Sequence, residues 1–143
     1  MDVISLDGVK SLHTAAIDAR NGYREALADA EGKGMTPLFN EMIALHSKNA
    51  DELAAVLRKA GETADDAGAF MSTVHRTIMS VRSLFHGLGK SVLPGLIDGE
   101  DRNLMHYTDV LDGPDTSAAL RPVLLAQRGR IEAAIVKMRA AEA

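Results

Sequence analysis

Apolar residues recur every three or four positions along nearly the whole chain, and nowhere do they alternate in twos over the length of a strand. That spacing matches the 3.6-residue turn of an α-helix and leaves one apolar stripe per helix. Breakers punctuate the pattern: Gly32-Lys33-Gly34 before Met35-Thr36-Pro37, then Gly61, Asp65-Asp66, Gly87-Leu88-Gly89 and Asp112-Gly113-Pro114-Asp115. Gly and Pro stop helices, while Thr and Asp cap them. Five helices are predicted, at 8–31, 36–60, 66–86, 91–112 and 116–141. The first carries Val9, Leu12, Ala16, Ala19, Tyr23, Ala26 and Ala30 on one face; the second carries Leu38, Met42, Leu45, Leu53, Val56 and Ala60, widened by Phe39, Ile43, Ala50 and Leu57. The third has Phe70, Val74, Ile78, Val81 and Phe85, the fourth Leu93, Leu96, Leu104, Tyr107 and Leu111, and the fifth Leu120, Leu124, Ile131, Ala134 and Met138.

The links after the first and fourth helices are short, so each of those helices should form an antiparallel hairpin with its successor. The link between the hairpins contains a whole helix. The expectation is an all-α four-helix bundle of two antiparallel hairpins, with an additional crossover helix, as one domain over residues 1–143. A chain of 143 residues can bury a sufficient core without staples. With three Phe, two Tyr and no Trp, that core must be filled by Ala, Leu, Met and Val, which suits closely packed helices.

The absence of cysteine excludes disulfides, thiolate metal sites and a Cys nucleophile. The first residues show no basic stretch followed by an apolar run, and no segment approaches the length of a membrane span. A net charge of -4 gives no general field for nucleic acid. The expectation is a cytoplasmic protein that binds neither membrane nor nucleic acid. The basic residues of the last helix, Arg121, Arg128, Arg130, Lys137 and Arg139, are interleaved with acids and read as a solvated face.

Several strings occur in order: Asp18-x-x-x-Gly22-Tyr23-x-x-Ala26, Glu52-Leu53, Gly68, His75-Arg76-x-x-Met79, Gly99-Glu100-Asp101 and Tyr107-x-Asp109-x-Leu111. The ordered set resembles a bacterial family of ferritin-like proteins catalogued as a domain of unknown function. The resemblance runs over nearly the whole chain and implies the ferritin-like fold; it brings no activity with it. Where that family often has a His on the last helix, this chain has Ile135.

Certain polar residues fall on faces that should be apolar. His46 lies mid-stripe on the second helix, Glu100 mid-stripe on the fourth, and Gln127 within the seam of the fifth; Tyr23 and Asn49 are also central. Together with Arg130 they form a predicted mid-bundle polar cluster. Ferritin-like proteins hold a metal pair at that level with a Glu from each of two helices and Glu-x-x-His from each of the others. The matching positions here are Ala19, His46-x-x-Asn49, Glu100 and Gln127-x-x-Arg130, of which only Glu100 and His46 are good ligands. Asp18 and Glu25 are predicted to point away from the apolar face, and Glu41, Glu52 and Glu132 to lie off-centre. Two divalent ions need more anionic oxygens than this. The expectation is no cofactor and no catalysis, with a structural cluster in place of a metal centre. The alternative is a metal-binding or oxidase-like relative holding a single divalent ion on Glu100 and His46. A pocket lined by Ala16, Ala19 and Ala50 is a further option.

The function expected is therefore a non-catalytic bundle that self-associates or binds a protein partner, in a bacterial stress setting. Met35, Met71, Met79 and Met105 are more than the inferred core needs and suit an adaptable interface. The first helix, with Asp18, Glu25 and Asp29 around Gly22, is the expected self-association face.

Overall fold

The computed structural model describes residues 6–30, 32, 34–62, 92–113 and 118–142, without the side chains of residues 28–30. Among them are four α-helices and no strand: α1, Leu6–Ala30; α2, Thr36–Lys59; α3, Leu93–Asp112; and α4, Arg121–Glu142. The crossover helix expected at 66–86, with His75 and His86, lies outside the described residues.

Prolines set three of the four helix starts. Pro37, Pro94 and Pro122 each stand second in their helix. There the missing N–H has no intrahelical partner to lose and the fixed φ suits the first turn. The starts expected at 91 and 116 placed Pro94 and Pro122 deeper, where the ring would clash with the preceding turn; the structure moves both starts forward. Thr36 is the first residue of α2 and not its cap; the cap position is Met35, which is buried. Met35 is therefore part of the core and not the spare residue expected. At the other end of α2, the Gly61 N–H donates to the Arg58 carbonyl at 3.0 Å and the Glu62 N–H to that of Leu57 at 2.9 Å. This paired closure requires a left-handed residue, and Gly61 supplies it at φ 81°.

α1 packs most extensively on α2, and α3 on α4; α1 also meets α3, and α2 meets α4. Lys10 near the start of α1 pairs with Glu62 just beyond α2 at 3.1 Å, so α1 and α2 are antiparallel. Gly8 abuts Val110, and Ser11 Oγ lies 2.8 Å from His106 Nε2, so α1 and α3 are antiparallel as well. α2 and α3 therefore run the same way, and Glu62 and Val92 lie at opposite ends of the bundle.

The buried faces follow the predicted stripes with one rotation. On α2 the centre is Phe39, Met42, His46, Asn49, Ala50, Leu53, Ala54 and Leu57, while Leu38, Leu45 and Val56 are only partly buried and Ala60 is exposed. α1 is covered more fully than an amphipathic helix should be. Ala16, Ile17, Asp18 and Ala19, four consecutive residues spanning a full turn, are all buried, as are His13 and Gly22. The expected outward Asp18 is thus corrected, and the Gly22 face is not open for a partner. Glu25 is exposed, as expected. No described helix is long and apolar enough to cross a membrane.

Candidate functional site

Glu100 sits in the middle of the buried face of α3 with no solvent exposure. A carboxylate there loses its hydration and must be repaid by donors. The protein supplies three. Tyr23 of α1 donates its hydroxyl to Glu100 Oε2 at 2.8 Å, His46 Nε2 of α2 lies 2.9 Å from the same oxygen, and Asn103 donates Nδ2 to Oε1 at 2.9 Å. Asn103 is one turn along α3, so the i, i+3 relation delivers it to the same stripe. The His46 and Tyr23 rings lie nearly parallel with centroids 6.0 Å apart, and the Phe39 ring meets Tyr23 edge-on at 5.4 Å. These ring contacts hold both donors against the carboxylate.

Burial alone would push the Glu100 carboxyl up. The charge of His46 and its hydrogen bond, followed by those from Asn103 and Tyr23, outweigh burial and hold it below the ordinary glutamate value. Glu100 is accordingly a carboxylate at neutral pH. Tyr23 is pushed well above the ordinary phenol value, by burial first and then by the charge and hydrogen bond of Glu100, so its hydroxyl keeps its proton and remains a donor.

A second layer lies beside the first, reached by the His46-x-x-Asn49 step on α2 and the Asn103-to-Tyr107 turn on α3. Tyr107 donates to Gln127 Oε1 at 2.7 Å. Gln127 Nε2 donates to the Asn49 carbonyl at 3.2 Å and to Glu52 Oε1 at 3.0 Å. Arg130 forks onto Glu52, at 2.7 Å to Oε1 and 3.1 Å to Oε2, and also donates to Asn49 Oδ1 at 2.8 Å. The hydrogen bond from Arg130 is the main cause that lowers the Glu52 carboxyl; partial burial opposes it, and Gln127 adds to the lowering. Asn49 Nδ2 is buried without a partner among the described residues. Turning that amide over would set its NH2 against the Arg130 guanidinium, so the orientation is fixed.

The six residues singled out from sequence thus divide between two layers. Tyr23 and His46 meet at Glu100, whereas Asn49, Gln127 and Arg130 meet around Glu52. Three members were missed: Asn103, Tyr107 and Glu52. Glu52 was placed off-centre by the helical wheel, yet its i+3 relation to Asn49 and the search for a carboxylate opposite Arg130 would have found it. Tyr107 was taken as plain core filling, although a buried phenol needs a partner.

Among the described residues no three His, Cys, Asp or Glu side chains converge as metal ligands do. Beside the first layer, Ala16, His46, Asn103 and His106 border a cavity of about 10 Å³. That volume admits one water at most.

Residues 5–113 match the family described as Domain of unknown function (DUF2383), and the chain belongs to that family. Neither the curated proteins nor the solved structures contain a match to it.

Proposed function

We propose that this member of the DUF2383 family is a ferritin-like bundle that acts by associating with another protein chain, its own copy first, and not by metal or redox chemistry. One observation carries the reading: the carboxylates at mid-bundle already have their oxygens engaged by the protein. Glu100 accepts three hydrogen bonds, and both oxygens of Glu52 are held by Arg130. A di-iron centre needs four carboxylates and two His aimed at a shared cavity. Here the corresponding positions hold Ala19, His46, Asn49, Glu100, Gln127 and Arg130, and Arg130 is paired with Glu52 at 2.7 Å. The antiparallel neighbours, with α2 and α3 running the same way, support the ferritin-like arrangement and suit a crossover between them. The bacterial stress setting is an analogy of fold.

The test is incubation of untagged protein with ferrous iron in air, followed by elemental analysis and oxygen measurement. The expected result is well below one iron per chain and no oxygen uptake beyond buffer. Two bound ions with oxygen consumption would overturn the reading.

A second reading places a single divalent ion on Glu100 and His46, whose side chains lie 2.9 Å apart. It requires that zinc or manganese raise the melting temperature of the parent protein and that His46→Ala abolish the rise.

A further inference from the structure

We draw no further inference here: the strongest candidate, the open groove of about 460 Å³ between α2 and α4, whose apolar lining is interrupted by Glu52, Lys59 and Arg130, carries nothing because no feature of the structure shows what covers it.

Discussion

A carboxylate with no solvent exposure stays ionised only where its surroundings replace water on both oxygens, and Glu100 is such a case. Its three donors come from α1, α2 and α3, so the residue ties three helices at one height. Glu100→Gln keeps one oxygen for Tyr23 and His46, and Asn103 can turn its amide to meet the new NH2. That variant should cost about 1 kcal/mol in urea unfolding. Glu100→Ala leaves a cavity and strands Tyr23, His46 and Asn103 without an acceptor, and should cost about 2–4 kcal/mol. Equal losses for the two variants would show that the carboxylate's charge, and not its shape and hydrogen bonding, holds the site. The centrality of Tyr23, His46 and Glu100 was legible in the helical wheel because each lies within the apolar stripe. Glu52 and Arg130 were not legible as a pair: long side chains rooted at the edge of a stripe reach inward, and a wheel records only where they are rooted.

At the scale of the helix, one substitution at two glycines should act in opposite directions. Gly61 holds φ 81° and closes α2 with two hydrogen bonds. An L side chain in that conformation costs about 1 kcal/mol, so Gly61→Ala should lower stability by about that amount. Gly129 is helical with open space around it. Gly129→Ala should raise stability by about 0.5–1 kcal/mol in protein dilute enough to be monomeric. Thermal or urea melts of both variants decide this, and a loss at Gly129 in the monomer would mean that the glycine is needed within the chain. Helix identity was legible from periodicity, and Gly61 and Thr36-Pro37 marked their boundaries correctly. The starts of α3 and α4 were missed although Pro94 and Pro122 marked them, because the apolar pattern continues upstream of each proline and was allowed to outweigh it. The burial of a whole turn of α1, Ala16 to Ala19, had no signal in its own sequence pattern. Ala, Gly and Asp on an outer face read as solvent-facing until a neighbour covers them, and the number of neighbours is a property of the assembled fold.

For the molecule as a whole, the two polar layers make stability depend on acidity. Glu100 joins α1, α2 and α3, while Glu52 with Arg130 and Gln127 joins α2 to α4, so the two carboxylates together span all four helices. Both are held below their ordinary value: Glu100 because the His46 charge and three hydrogen bonds outweigh burial, Glu52 chiefly through Arg130. A carboxyl depressed in the folded state contributes stability that is fully present above its unfolded value, about 4.3 for glutamate, and that is lost as pH falls through the folded one. The melting temperature should therefore be nearly flat from neutral pH to about 5 as far as these two groups are concerned, and should fall below that as each gains a proton. Glu100 should account for more of the fall than Glu52, since protonating a buried carboxyl takes an acceptor from its three donors where water cannot replace it, whereas Glu52 and Arg130 are part-exposed, with side chains 34% and 27% accessible. Calorimetry of the parent and of Glu100→Gln from pH 3 to 7 separates the two contributions. The parent should show the steeper acid limb, and the Gln variant, with nothing to protonate at that position, a shallower one. Superimposable acid limbs would mean that Glu100 already carries its proton at neutral pH, and the first layer would then be a set of neutral hydrogen bonds around a carboxylic acid.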